Sequence, residues 1–170
     1  TSGVTGQYDD SKDVGTAKPV TVNGLTLTGA QGGNYFIDAS ITGNLGMITQ
    51  ATLTAAIIGN PTKTYDGDDV ATLTDANYQL TGFVLSEGAT VTQTAGTYDS
   101  ENVDASSVTA SIAGFIAPDL GTDLANYVLP TSASGAGTID PRLLTINGVV
   151  ALDKVYDGNT VAALNSSAAS

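Results

Sequence analysis

The chain has 170 residues, and with 41% of them hydrophobic it carries enough apolar surface to fold around a core. Five Lys and Arg residues against 17 Asp and Glu residues give a net charge of −12, which argues against nucleic acid and anionic lipid as partners. There is no Cys and no His, and no apolar run approaches the roughly 18 residues of a membrane helix, so disulfides, thiolate or imidazole catalysis and membrane insertion are excluded.

Short strands are predicted along the chain, because small and β-branched apolar residues stand beside many Thr, Ser, Gly and Asn residues. Segments 51–58, 107–116 and 142–146 each alternate apolar and polar side chains, and each is predicted to be a half-buried strand. The inward side chains are Leu53, Ala55 and Ile57, then Val108, Ala110, Ile112, Gly114 and Ile116, and finally Leu144 and Ile146.

Turn signals separate these runs, including Asn60-Pro61, Asp66-Gly67 and Asp157-Gly158. Short strands at turn spacing predict an all-β fold of tandem β-sandwich modules of the Ig-like type. A helical turn fits at 123–127, which would instead make each unit a β-grasp relative with one short helix, and this alternative stays open.

An internal repeat has a period of about 91 residues. Leu53-Thr54 recurs as Leu144-Thr145, Tyr65-Asp66-Gly67 as Tyr156-Asp157-Gly158, Tyr8-Asp9 as Tyr98-Asp99, and Asn34-Tyr35 as Asn126-Tyr127. Residues 1–50 are therefore the C-terminal part of a preceding repeat (the back piece), 51–141 form one complete repeat (the complete unit), and 142–170 are the N-terminal third of a following repeat (the front piece). The two pieces together lack only about twelve residues of a unit, corresponding to about 79–90.

This order of motifs resembles the YDG repeat domain of very large bacterial surface proteins. The resemblance rests on Leu53-Thr54 followed by Lys63-x-Tyr65-Asp66-Gly67, and on the sequence from Gly6-x-Tyr8 through Val20-Thr21-Val22 to Asn34-Tyr35. Such repeats occur in filamentous haemagglutinin-like adhesins exported by two-partner secretion, where they resemble spacer modules. The resemblance implies an extracellular or bacterial cell-surface location and contacts with neighbouring repeats. No leader-like segment follows Thr1, so we expect the chain to be part of a longer protein.

The recurring Tyr-Asp-Gly and Asn-Tyr motifs are interpreted as structural. In the turn, the Asp side chain can bond the backbone two residues on, the Gly can take a positive φ, and the Tyr ring can cover the end of the core. The residues concerned are Tyr65, Asp66, Gly67, Tyr156, Asp157 and Gly158, together with Asn34, Tyr35, Asn126 and Tyr127. The alternative makes the tyrosines stacking platforms for a ligand.

No enzymatic activity and no cofactor are predicted, because the sequence lacks the common nucleophile, phosphate-loop and acyl-transfer motifs. Calcium is the metal alternative, since Asp66, Asp68 and Asp69 cluster in one turn, but their spacing fits no EF-hand and solvated carboxylates are the favoured interpretation. A further alternative is an isopeptide bond from Lys63 or Lys154 to an Asn such as Asn126.

Three functions remain open. The leading hypothesis is a structural spacer in a secreted or cell-surface bacterial adhesin that supports cell adhesion or biofilm formation, with neighbouring repeats as partners. The second is a module that binds a host or matrix glycan or protein through loops 75–90 and 117–125. The third is a subunit of an extracellular fibre, in which chains associate head to tail and complete their split repeats by strand addition.

Overall fold

A computed structural model describes residues 4–170, and it is all-β, as the sequence predicts. The back piece holds β1 (Thr5–Tyr8), β2 (Gly15–Asn23) and β3 (Ser40–Ile48). The complete unit holds β4 (Ala51–Thr52), β5 (Thr54–Ile57), β6 (Thr62–Thr64), β7 (Val70–Thr72), β8 (Tyr78–Thr81), β9 (Ala89–Val91), β10 (Ala95–Tyr98), β11 (Ser107–Ser111), β12 (Ile116–Pro118), β13 (Tyr127–Val128), β14 (Ser132–Ala136) and β15 (Thr138–Asp140). The front piece holds β16 (Val150–Ala151) and β17 (Leu164–Asn165).

Helical structure in residues 4–170 is confined to three short 3₁₀ turns, at Gly32–Asn34, Asp75–Asn77 and Leu124–Asn126. The last of these lies where a helical turn was predicted, but it is too short to act as the helix of a β-grasp unit. Within the described residues, no helix has the length and apolar character needed to cross a membrane.

The complete unit is built on a four-stranded antiparallel sheet in the order β14-β11-β10-β7. The antiparallel pair of β5 and β8 packs over one end of it, where β5 crosses β14 at Gly135. A Cβ at Gly135 would lie 1.9 Å from the carbonyl oxygen of Ile57, so a glycine is required for the two layers to approach this closely.

The core lies between these layers. Its largest fully buried side chains are Leu73, Val91, Val108, Ile112 and Ile139. Every buried hydrophobic residue in the described part of the chain falls between Leu53 and Ile139, within the complete unit. The two flanking pieces therefore have strands but no closed core of their own.

The strands at the two ends of the complete unit pair in parallel with strands from its other half. β4 pairs with β13, placing Ala51 opposite Tyr127, and β6 pairs with β15, placing Lys63 opposite Ile139. Because parallel neighbours must be joined by a long connection, the front of the unit is held by residues about 75 positions later in the sequence.

The back piece repeats part of the main sheet of the complete unit with the same register. β1, β2 and β3 align Tyr8 with Val20 and Val20 with Gly43. The complete unit aligns Tyr98 with Val108 and Val108 with Gly135 in β10, β11 and β14. These counterparts lie 90, 88 and 92 residues apart, so the loops differ in length while the sheet keeps its register.

Three predicted strands are corrected by the structure. Segment 51–58 is divided at Leu53 into β4 and β5, which belong to different sheets. Segment 107–116 is not one strand, because β11 ends at Ser111 and a turn follows in which Gly114 has a φ of 80° and Phe115 N–H donates to the Ile112 carbonyl over 3.0 Å. Segment 142–146 is not a strand, and Leu144 and Ile146 are exposed. In the complete unit, β4 and β5 pair with β13 and β8. The counterparts of these two partner strands do not lie beside segment 142–146.

Candidate functional site

The Tyr-Asp-Gly turn of the complete unit is organised around Lys63. The Lys63 ammonium lies 2.6 Å from an Asp66 carboxylate oxygen and also bonds Asp68. Asp66 accepts a hydrogen bond from the Asp68 backbone N–H over 3.3 Å, and Gly67 has a φ of 90°, a conformation that favours glycine. The Lys63 hydrogen bond holds the pKa of both carboxyl groups below their usual value.

This arrangement bears on the calcium alternative. Two of its three candidate carboxylates, Asp66 and Asp68, are directed to Lys63, while the Asp69 backbone carbonyl accepts a hydrogen bond from Tyr98 N–H over 2.7 Å. In the described residues, no three acidic side chains converge in a way that could hold a metal ion.

The front piece builds the same turn with an amide in place of one carboxylate. Lys154 lies 2.9 Å from Asp157 and 2.9 Å from the Asn159 side-chain oxygen, and Gly158 has a φ of 75°. Asn159 thus takes the position of Asp68. The motif therefore forms a lysine-centred turn even in a piece that has no closed core.

The Tyr rings of this motif are more exposed than the sequence interpretation expects. Tyr156 is exposed, and Tyr65 is partly exposed while its backbone N–H donates to the Asp140 carbonyl over 2.8 Å. The Tyr65 ring lines an open apolar hollow with Val103, Pro141 and Leu144. Covering the end of the core would require a neighbour at this hollow.

The Asn-Tyr motif of the complete unit lies at its junction with the back piece. The Asn126 side-chain N–H donates to Asp13 over 2.9 Å, and its oxygen accepts from the Val14 backbone N–H over 2.8 Å. From the other side, the Gln50 side chain donates to the carbonyls of Ala125 and Tyr127 over 3.0 and 3.1 Å. The Asn-Tyr motif therefore holds the back piece against the complete unit.

Tyr127 anchors an acidic residue at the same junction. It is buried, its ring makes an edge contact with Phe83, and its hydroxyl donates to Glu87 while accepting from the Val84 N–H over 3.1 Å. Lys12 of the back piece lies 3.3 Å from the other Glu87 carboxylate oxygen. The Tyr127 hydrogen bond, followed by Lys12, keeps the pKa of Glu87 below its usual value.

The isopeptide alternative finds no support in this geometry. The Asn126 amide is engaged with Asp13 and Val14, whereas Lys63 binds Asp66 and Asp68. Lys154 binds groups of its own turn. Neither lysine is brought to Asn126.

Sequence reasoning missed the junction residues Lys12, Asp13 and Glu87. Lys12 and Glu87 lie 75 residues apart, and no local pattern links an isolated lysine to a distant glutamate. The recurrence of Asn-Tyr was visible, but its role between units depends on which loop the next unit presents. The contact between the Asn-Tyr motif and this loop is visible only in the three-dimensional structure.

At the other end of the complete unit, the corresponding surface borders the start of the front piece. Asn102 and Val103, the counterparts of Lys12 and Asp13, border the hollow beside Tyr65 and Leu144. Asn34 and Tyr35, the counterparts of Asn126 and Tyr127, lie at the far end of the chain in the back piece, where Tyr35 is exposed. One half of a junction thus lies in the complete unit and the other half in the back piece.

The two segments predicted to bind a ligand, 75–90 and 117–125, contact one another in the complete unit. The Gly88 N–H donates to the Thr122 hydroxyl over 3.0 Å, and the Asp119 N–H donates to the Gly88 carbonyl over 2.9 Å. Leu85 and Leu120 are exposed on these two loops. Segment 75–90 is not one loop, because it contains β8, and only its loop at 82–88 is hydrogen-bonded to segment 117–125.

A family model described as the YDG domain matches residues 1–43 and 49–135. No curated protein matches the chain, and no solved structure does.

Proposed function

Because this chain belongs to the YDG domain family, we propose that it is a structural spacer in a large secreted or cell-surface bacterial adhesin of the filamentous haemagglutinin-like kind, supporting cell adhesion or biofilm formation. In this role each unit extends the parent protein and transmits tension to the next unit. The proposal includes an extracellular location and no enzymatic activity.

The observation that carries this proposal is the parallel pairing of the strands at both ends of the complete unit, β4 with β13 and β15 with β6. Tension applied at residue 51 loads β4 against β13, and tension applied at residue 141 loads β15 against β6, in both cases along the strands. Their hydrogen bonds are then loaded together, in shear, whereas an antiparallel hairpin pulled at its open end loses its bonds one after another. A unit connected in this way resists extension along the axis of a repeat array.

The junction adds stiffness to that array. Hydrogen bonds from Asn126 and Gln50, together with the Lys12–Glu87 ion pair, hold consecutive units in one relative orientation. An exposed ion pair alone contributes little, but the backbone and amide bonds around it restrict rotation about the connection at 49–50. The charge of −12 also keeps neighbouring fibres apart.

Single-molecule force measurements test the proposal, and the absence of native cysteine lets introduced cysteines define the pulling direction. Thr52→Cys with Asp140→Cys loads the parallel strands in shear. Thr72→Cys with Ala95→Cys separates two directly opposed residues of the main sheet. We expect a clearly higher unfolding force in the first geometry, and equal forces would refute a role under tension.

A matched pair of variants tests the junction separately. Spin labels at Asn44→Cys and Ser134→Cys report the distance between the two sheets. We expect Glu87→Gln combined with Asn126→Ala to broaden the distance distribution, whereas Glu101→Gln, which removes the same charge away from the junction, should leave it unchanged. A distribution that is already broad in the parent protein would contradict a stiff connection.

The surface location has its own test. Antibodies against the complete unit should label intact cells of the source bacterium. Labelling that requires lysis of the cells would overturn this part of the proposal.

A second candidate function is binding of a host or matrix glycan or protein, and it is favoured by the contact of loop 82–88 with segment 117–125, which carry the exposed Leu85 and Leu120. Saturable binding to cells or matrix that is lost in Leu85→Ser and Leu120→Ser would support it. The control is Leu143→Ser, because Leu143 is exposed but lies in the front piece. Binding that is unaffected by the two loop variants would place any ligand elsewhere.

A further inference from the structure

Loop 82–88 of the complete unit presents a leucine in a costly backbone conformation. Leu85 is 99% exposed and has a φ of 55°, which a residue with a Cβ adopts only at an energetic cost. The loop is held on both sides of this residue. The Val84 N–H donates to the Tyr127 hydroxyl over 3.1 Å, and the Glu87 N–H donates to the Val84 carbonyl over 3.1 Å. Leu85 is therefore a fixed apolar projection.

This projection belongs to the junction between two units. Leu85 lines an open hollow together with Val14 and Ile48, which are both residues of the back piece. Glu87, two positions further along the same loop, pairs with Lys12 of the back piece over 3.3 Å. The exposed face of Leu85 is thus continuous with an interface that the structure already contains.

The other end of the complete unit shows an equivalent hollow from the side of the preceding repeat. It is lined by Tyr65, Val103 and Pro141. Val103 lies in the loop that corresponds to the loop of Val14, and Pro141 is the counterpart of Gln50, 91 positions earlier. Val14 and Gln50 both make hydrogen bonds to the Asn-Tyr motif of the complete unit. The two hollows therefore occupy the same position in successive junctions.

Tyr65 is held at this position by the strand that leads into the next repeat. Its backbone N–H donates over 2.8 Å to the carbonyl of Asp140, the last residue of β15, and the residue as a whole is 38% exposed. The ring is directed into the hollow instead of the core. A repeat with this turn thus presents an aromatic face where the following repeat begins.

Taken together, the two hollows describe both sides of one junction. The first gives the side chains that a following repeat contributes, with Leu85 among them, and the second gives those of a preceding repeat, with Tyr65 among them. We propose that Leu85 of each repeat packs against the Tyr65 position of the repeat before it. The partner of both surfaces is a neighbouring repeat of the same protein. This inference rests on the proposed spacer function and names the side chains that join its units.

The contact gives the Tyr-Asp-Gly tyrosine a role between repeats. Packing of Leu85 against the ring of Tyr65 removes apolar surface of both residues from water. This gain offsets the cost of the left-handed conformation at Leu85, which nothing within a single unit repays. An external ligand at Leu85 is the competing occupant, and the two are separated by the following experiment.

A chain with a duplicated complete unit tests the inference. It consists of residues 1–141, then 51–141, then 142–170, so that both connections follow the natural period. The second copy of Leu85 then faces the first copy of Tyr65. The first copy of Leu85 faces the back piece, whose sequence contains no Tyr-Asp-Gly. The two copies of Leu85 are a matched pair within one protein.

Thiol labelling measures the exposure of each copy, because the chain has no native Cys. Leu85→Cys is introduced into one copy at a time. We expect the second-copy thiol to react at least about tenfold more slowly than the first-copy thiol, since labelling must wait for the junction to open. Tyr65→Ala in the first copy should abolish this difference, whereas Tyr65→Ala in the second copy should preserve it. Equal rates in the two copies overturn the inference and leave Leu85 to an external ligand.

A second variant separates the junction from the folding of the loop. Leu85→Gly relieves the left-handed conformation, so in the 170-residue chain it should not lower the urea midpoint. In the duplicated chain, spin labels at both copies of Ser134→Cys report the distance between the two complete units. Leu85→Gly in the second copy should broaden this distribution, and in the first copy should leave it unchanged. Equal distributions for the two variants would contradict the contact. The spacer function would survive, because the pulling geometries and the Glu87 and Asn126 variants test it in the chain without duplication.

Discussion

The same repeat position is buried once and exposed once in this chain, and this contrast allows a strong test of the structure. Leu73 is 1% exposed beside Gly96 and Val108, and its counterpart Leu164 is 62% exposed. Truncating a buried leucine to alanine removes transfer energy and leaves a cavity, for a loss of about 2 to 5 kcal/mol. An exposed substitution changes the free energy of unfolding by about 0.5 kcal/mol or less. We expect Leu73→Ala to lower the free energy of unfolding by about 2 to 5 kcal/mol, and Leu164→Ala to change it by about 0.5 kcal/mol or less.

Urea denaturation at low protein concentration measures the difference, followed by far-ultraviolet circular dichroism because the chain has no Trp. With an m-value of about 1 to 1.5 kcal/mol/M for a unit of this size, a loss of about 3 kcal/mol lowers the midpoint by about 2 to 3 M. The Leu164→Ala midpoint should stay within about 0.5 M of the parent. Equal shifts in both variants would refute the conclusion that the front piece lacks a packed core.

Three further predictions concern polar groups. The pKa of Glu87 is lowered by Tyr127 and then by Lys12, so the junction is stable above the ordinary glutamate pKa and weakens as the pH falls through the lowered value; the spin-label distance distribution should broaden only on acidification. Hydrogen bonds from Ser106 and Ser107 strongly lower the pKa of Asp99. Asp99→Asn should therefore lower the urea midpoint at neutral pH and differ little from the parent in strong acid, where Asp99 is protonated. Glu101→Gln is the control. The Tyr98 hydroxyl donates to the Pro61 carbonyl over 3.1 Å, whereas the buried Tyr78 hydroxyl has no hydrogen-bond partner among the described residues. Tyr98→Phe should therefore lower the free energy of unfolding by about 1 kcal/mol, while Tyr78→Phe should leave it unchanged or raise it. Equal losses in the two variants would contradict these contacts.

The elements that sequence reasoning predicted best are those with strong local signals. The alternation around Val108 and Ala110, and the buried positions Leu53 and Ile57, follow from side-chain periodicity. The glycine of each Tyr-Asp-Gly turn has a positive φ because no other residue adopts that conformation as readily. Such features depend on a few neighbouring residues and are visible in the sequence.

The features that escaped prediction depend on partners far away in the chain. Segment 142–146 has the pattern of a strand but is not one, because no strand lies beside it. The loop after Tyr8 contains a different polar contact from the loop after Tyr98: Lys18 binds Asp10 over 3.1 Å in the first, and Ser106 binds Asp99 over 2.9 Å in the second. A repeat alignment at one fixed period does not reveal that these loops differ in length while the strands keep their register.

The complete unit and the two pieces differ in connectivity more than in the identity of their core positions. Within the complete unit, front and back belong to one chain, so they meet at an effective concentration in the millimolar range or above. We therefore expect the complete unit to stay closed.

Connecting two copies of the chain through a second copy of residues 80–90 tests whether the front and back pieces are parts of one repeat. The front piece of the first copy ends at the counterpart of residue 79, and the back piece of the second begins at the counterpart of residue 91, so the added segment restores an uninterrupted unit. Closure becomes intramolecular, and Leu164 of the first copy should become buried. Leu164→Ala there should now cost about 2 to 5 kcal/mol, as Leu73→Ala does. If it still costs about 0.5 kcal/mol or less, the two pieces are not halves of one fold.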